Sequence, residues 1–103
     1  MQRRRIVDII RRDMHADFPQ AEVVLYGSEA RGEARLDSDI DLLVLFDKDK
    51  VSYADKMAVI DVLEEISLKE NVEISPIIYT KNDWLQRPTD YFKMNINKEG
   101  IKL

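Results

Sequence analysis

Asp37, Asp39 and Asp41 crowd the head of the apolar run "DIDLLVLFD", and a Gly27-Ser28 pair lies a short turn upstream. Carboxylates packed at the head of a buried strand repel one another and lose hydration, so the arrangement is unfavourable without a cation or another strong partner. Side chains alternate along a strand, so Asp39 and Asp41 share one face about 7 Å apart, while Ile40, Leu42 and Val44 share the other. The segment "SEARGEA" reads as a short helix beginning at Ser28. Its free backbone N–H groups and hydroxyl suit phosphate oxygens, with Gly27 permitting close approach. A phosphate and paired acids meet through a divalent cation. The chain has no cysteine and a single histidine, His15, so oxygen must hold any metal.

The elements that position these residues alternate between helix and strand. A helix is expected over about residues 2–17, with Ile6, Ile9 and Ile10 turned inward. "AEVVLYGS" is a strand ending at Gly27, and "DIDLLVLFD" is a second. Ser52 with Asp55 makes a capping-box-like start for a helix over about 53–70, with Met57, Ile60, Leu63, Ile66 and Leu68 as its apolar positions. "VEISPIIYT" is a third strand, and Pro76 places it at an edge or a bulge. Thr80 with Asp83 starts a last helical region, broken at Pro88, resumed to about Asn97 and ended by Gly100. The expected fold class is α+β: a single domain over residues 1–103, with a small mixed sheet of about three strands flanked by helices. Antiparallel first and second strands bring Ser28 beside the aspartates. A right-handed crossover through the 53–70 helix makes the second and third strands parallel and their starts adjacent. Glu73 then joins Asp39 and Asp41 in a three-carboxylate cluster, which suits two Mg²⁺ ions about 3.5–4 Å apart. The competing reading of Glu73 is an exposed strand-edge residue unrelated to metal.

Composition narrows the partners. A chain of 103 residues with 45% hydrophobic content suffices for one small core. Its apolar runs are far short of the roughly 20 residues that span a bilayer, and "MQRRRIVDII" has no signal-peptide pattern, so a cytoplasmic chain without membrane contact is expected. Five arginines against Asp8 give residues 1–12 a charge of +4 and leave -8 for the remainder. This cluster reads as the solvated face of an amphipathic helix rather than a nucleic-acid patch. His15 is assigned no role. Trp84, Tyr91 and Phe92 serve either a partner surface or the core, with core packing expected for at least two of them. The sequence is compatible with a homo-oligomer and does not decide the oligomeric state.

Taken together, "GSEARGEARLDSDIDLLV" resembles the signature of the DNA polymerase β-type nucleotidyltransferase superfamily, and specifically its minimal nucleotidyltransferase (MNT) group. The resemblance spans nearly the whole chain. It implies that Gly27 and Ser28 hold the phosphates of ATP or another NTP, that Asp39 and Asp41 bind Mg²⁺, and that the third acid, Glu73, activates an acceptor hydroxyl. Arg31 stands at the group's common arginine position, where it contacts phosphate or braces the loop through a carboxylate such as Asp37. Two residues depart from the pattern: Glu29 replaces a basic or aromatic residue beside the triphosphate, and Glu73 replaces the usual Asp. Larger members add an acceptor-positioning domain for which no residues are expected after the third strand and terminal helices, so the acceptor is expected on another chain. Small members of the group pair with a helical HEPN-domain toxin, and some adenylylate a tyrosine on it. The resemblance therefore implies an antitoxin that transfers AMP to its partner. The alternatives are an antitoxin that acts by binding alone, with Glu29 and Glu73 as the features in its favour, and an antibiotic-type adenylyltransferase completed by a partner subunit.

Overall fold

Hydrophobic residues on both faces of one strand organise the chain. The computed structural model describes residues 3–103, in the order α1 (Arg3–Asp17), β1 (Ala21–Tyr26), α2 (Gly27–Ala30), β2 (Ile40–Phe46), α3 (Tyr53–Glu70), β3 (Ile74–Thr80), α4 (Lys81–Gln86), α5 (Tyr91–Glu99) and β4 (Ile101–Lys102). The first helix is seen from Arg3; residue 2, where it was expected to begin, lies outside the described residues. The sheet order is β3-β2-β1-β4, with β1 antiparallel to β2 and β4, and β2 parallel to β3. The expected edge position of the Pro76 strand and the parallel crossover are both present.

Strand β2 is buried on both sides, which is why its sequence is a near-continuous apolar run. Ile40, Leu42, Val44 and Phe46 join Val23 and Leu25 in the core beneath α1 and α3, to which the helices contribute Ile6, Ile10, Met14, Val59, Leu63 and Ile66. On the opposite face Leu43 and Leu45 pack with Trp84 and Ile96, flanked by Val24, Tyr26, Ile77, Tyr79 and Phe92. Trp84 and Phe92 are thus core residues, and Tyr91 is exposed.

The reciprocal Ser52–Asp55 capping box opens α3, and Asn71, in the left-handed region at φ 54°, closes it. The apolar stripe of α3 differs from expectation. Val59, Leu63 and Ile66 are buried, whereas Ile60 and Leu68 face solvent at 40% and 75% exposure. A spacing of i, i+4, i+7 follows one side of a 3.6-residue helix, and the expected series drifted off it. Thr80 caps α4, accepting from the Asp83 N–H at 3.0 Å. Pro88 separates α4 from α5, and the buried Lys93 ammonium ties them together by donating to the carbonyls of Leu85 at 3.0 Å and Arg87 at 2.7 Å. Among the described residues, no helix is long and apolar enough to cross a membrane.

The sheet has four strands rather than about three. Ile101 and Lys102 pair with Leu25 and Val24 and cover one side of β1. A two-residue strand is too short to display alternation, which hid it in the sequence. Gly100 ends α5 at an ordinary φ of -62°, so it is not needed there for a left-handed cap. It is needed for space: a Cβ would fall 2.5 Å from the Ile96 carbonyl oxygen and 2.7 Å from Val24 Cγ1. Gly100→Ala is expected to destabilise the domain by about 1–3 kcal/mol through overpacking, read as a lower denaturant midpoint with an unchanged slope.

Candidate functional site

At the end of β1 the chain must leave a strand and turn within one residue. Gly27 does so at φ +75°, opening the four-residue helix α2. The N–H groups of Arg31, Gly32 and Glu33 then return to the carbonyls of Gly27, Glu29 and Ser28 at 3.2, 3.2 and 2.9 Å. A second turn joins Arg35 and Ser38, closed by Ser38 N–H to the Arg35 carbonyl at 3.1 Å and Arg35 N–H to Ser38 Oγ at 2.8 Å. The chain enters β2 directly after Asp39.

The antiparallel register sets Tyr26 opposite Asp41, so the residue after Tyr26 lies against the aspartate. A Cβ at Gly27 would fall 2.5 Å from Asp41 Oδ2 and 3.4 Å from its Cγ. Glycine is therefore required here twice, for its φ and for its lack of a side chain. The Gly27 turn is brought against Asp41, as expected from antiparallel pairing of the two strands.

The electrostatics follow from this crowding. Burial pushes the Asp41 carboxyl above its ordinary value, Asp39's negative charge pushes it further, and Arg31 acts in the opposite direction. Tyr26, absent from the sequence-derived site, stands beside Asp41; burial and then that carboxylate push its phenol up to about 12. Its ring meets Phe92 edge-on at 5.7 Å, which holds the site against α5. The donors at Asp39 and Asp41 are hard carboxylate oxygens whose mutual repulsion Arg31 offsets only in part, a set that fits Mg²⁺.

Arg31 braces the loop, but through other carboxylates than Asp37: it bonds Glu33 at 2.7 Å and Glu99 at 3.0 Å, joining α2 to the end of α5. Glu73 adjoins the aspartates through the backbone. Its carbonyl accepts from the Ile40 N–H at 2.8 Å, and the parallel register, carried one residue beyond the Ile40–Ile74 pair, sets it opposite Asp39. Yet among the described residues no three acidic or histidine side chains gather closely enough to hold a metal. Glu73 precedes β3 and is exposed, lining a surface depression with Ser67, Leu68 and Asn71, and no contact draws its side chain toward Asp39 and Asp41.

The second residue that sequence reasoning missed is Arg3. The cluster at residues 3–12 was expected to be a solvated face, and Arg4, Arg5, Arg11 and Arg12 are exposed. Arg3 is buried at 8% exposure and forms an ion pair with Glu29. Helical spacing carried the signal: Arg3 lies on the buried stripe of Val7, Ile10 and Met14, at i, i+4, i+7 and i+11.

Comparison with known proteins agrees with this geometry. Residues 7–103 match the family model described as "Nucleotidyltransferase domain". The chain is similar to "Putative protein adenylyltransferase MJ0141" of Methanocaldococcus jannaschii, with 42% identity over 59 residues, 57% of this chain and 59% of that protein. It is also similar to "Putative protein adenylyltransferase MJ0604" of the same organism, with 33% identity over 79 residues, 77% of this chain and 73% of that protein. The first alignment thus spans less than two thirds of the relative. In three dimensions the chain resembles a crystal structure of a mutant toxin-antitoxin MntA-HpeT, with a TM-score of 0.64 and 17% identity over 94% of this chain and 70% of that one. A toxin-antitoxin structure with AMP-PNP gives a TM-score of 0.60 and 16% identity over 99% of this chain and 72% of that one. At these identities the likeness shows the fold: a mixed four-stranded sheet flanked by helices.

The raised Asp41 value makes a prediction of definite sign. A carboxyl that binds its proton more tightly when folded stabilises the fold below its ordinary pKa, and that contribution is lost as pH rises through the raised value. In chelator at pH 7, Asp41→Asn is therefore expected to melt above the wild type, and the difference should shrink as the pH is lowered toward 4. Thermal denaturation at the two pH values checks it; a mutant less stable at pH 7 than at pH 4, relative to wild type, contradicts the assigned strain.

Proposed function

The chain belongs to the nucleotidyltransferase-domain family, and from that premise we propose that it transfers AMP from ATP to a hydroxyl on a partner protein. The observation that supports this reading is the close approach of Gly27 to the Asp41 carboxylate, which sets the Gly27-Ser28 turn beside the acid two residues beyond Asp39. Gly27 and Ser28 hold the triphosphate, the N–H groups and hydroxyl donating to its oxygens. Asp39 and Asp41 would hold Mg²⁺, with room in the reading for two ions. Bound Mg²⁺ supplies charge neutralisation at the attacking and leaving oxygens. The acceptor oxygen forms its bond to the α-phosphorus, the bond from that phosphorus to the β-phosphate bridge breaks, and pyrophosphate leaves. The hydroxyl proton passes to Glu73, which reaches the site by a side-chain rotation from its exposed position opposite Asp39. Arg31, beside Asp41 and held by Glu33 and Glu99, braces the loop and lends positive charge to the phosphates.

The acceptor assigned is a tyrosine of a HEPN-domain toxin, with the chain acting as its antitoxin. The adenylyltransferase names of the relatives and the fold shared with toxin-antitoxin structures, one containing AMP-PNP, support this reading. One observation favours a second reading, an antitoxin that neutralises by binding alone: Glu73 is exposed, and no three acidic side chains among the described residues gather into a metal site. Glu29 no longer argues for it, because Arg3 neutralises its charge.

Two experiments test the proposal. Gly27→Val should abolish ATP binding in calorimetry, since its side chain would collide with Asp41; wild-type affinity in this mutant locates the phosphates elsewhere. With labelled ATP, Mg²⁺ and a HEPN-domain protein as acceptor, Glu73→Gln should retain nucleotide binding but slow AMP transfer by about 10²–10⁴. A mutant as fast as wild type removes Glu73 as the base, and no transfer by wild type despite tight partner binding selects the binding-only antitoxin.

A further inference from the structure

The two halves of the site belong to different segments. The Gly27-Ser28 turn opens α2, whereas Asp39 and Asp41 follow residues 31–39, which contain turns but no regular element. Arg3, from α1, spans them. Its Nε donates to Glu29 Oε1 on α2; on the other side its guanidinium donates to the carbonyls of Ser38 at 2.8 Å and Leu36 at 3.4 Å, in the loop that delivers Asp39. Both partners are shielded, with side-chain exposures of 9% for Arg3 and 14% for Glu29, and neither has another ion-pair partner among the described residues. A planar guanidinium donating in a fixed fork holds three acceptors at set separations, which an ammonium cannot do.

Glu29 follows Ser28 directly, so a free carboxylate there would oppose a bound triphosphate. We propose that Arg3 is a positioning residue for nucleotide. Through Glu29 it cancels that charge, and through Glu29 and the two loop carbonyls together it sets the gap between the phosphate-binding turn and the metal-binding aspartates. This inference rests on the nucleotidyltransferase reading and deepens it, assigning the site's alignment to a side chain on α1 that acts through Glu29 and the loop carbonyls.

The test is calorimetric titration of the purified full chain with Mg²⁺–AMP-PNP, and separately with Mn²⁺ alone, well below the melting temperature. Arg3→Met, which leaves Glu29 uncompensated, should weaken Mg²⁺–AMP-PNP by about tenfold or more while changing Mn²⁺ affinity by less than about twofold. Arg3→Lys, which keeps the charge but not the fork, should fall between that mutant and wild type. Glu29→Gln keeps a partner for Arg3 and removes the opposing charge, so nucleotide affinity should be kept or increased, and adding it to Arg3→Met should recover part of the loss. Arg5→Met, which removes the exposed Arg5–Glu70 pair from the same helix, is the control and should leave affinity unchanged. A purely structural ion pair would lower the melting temperature in Arg3→Met and Glu29→Gln alike. Folded Arg3→Met or Arg3→Lys protein that binds Mg²⁺–AMP-PNP as tightly as wild type overturns the positioning role alone. A wild type that binds no Mg²⁺–AMP-PNP overturns the nucleotidyltransferase reading and the positioning role with it.

Discussion

The contact between the Gly27 backbone and the Asp41 carboxylate is the constraint from which the rest of the site follows. It exists because β1 and β2 pair antiparallel with Tyr26 opposite Asp41, so the turn that ends β1 is delivered onto the acid that begins β2. A shift of one residue in that register would send Asp41 to the opposite face and Leu42 into its place. The register is strongly specified, since β2 buries different apolar residues on its two faces, each matched to its own helical layer. The apolar core, remote from the chemistry, thereby sets the position of the carboxylates.

The same arrangement has an electrostatic consequence. Asp41 is half-buried beside Asp39 and Tyr26, and its ionised form is disfavoured by burial and by the neighbouring charge. Strain of this kind persists where surrounding packing over-determines the conformation, and it is concentrated where a ligand can relieve it. Tyr26 extends the coupling to the second layer by stacking edge-on against Phe92 of α5, while Arg31 reaches Glu99 at the other end of that helix. Helix α5 is thus tied to the site at both ends, by an apolar contact and by an ion pair.

Charge was the property most easily misjudged from the sequence. Five arginines near the start invite a single interpretation as a solvated face, and four of the five conform to it. Arg3 instead lies on the buried stripe of α1 and meets Glu29, a residue that looked hostile to a phosphate ligand when considered alone. Each of these charges is explained by the other, and they are 26 residues apart in the chain.

The local signals were sufficient for most of the fold: alternation for β1 and β2, the Ser52–Asp55 box for α3, Pro76 for an edge strand, and the Gly-Ser and Asp-x-Asp spacing for the meeting of the Gly27 turn with Asp41. These features depend on residues near one another in sequence, where steric preference and side-chain periodicity act directly. Strand β4, the rotated stripe of α3, the exposure of Glu73 and the Arg3–Glu29 clamp were decided by tertiary structure. A two-residue strand exists only because β1 offers it an open edge. Likewise, the burial of a charge depends on which distant segment brings its partner, information that no local pattern contains.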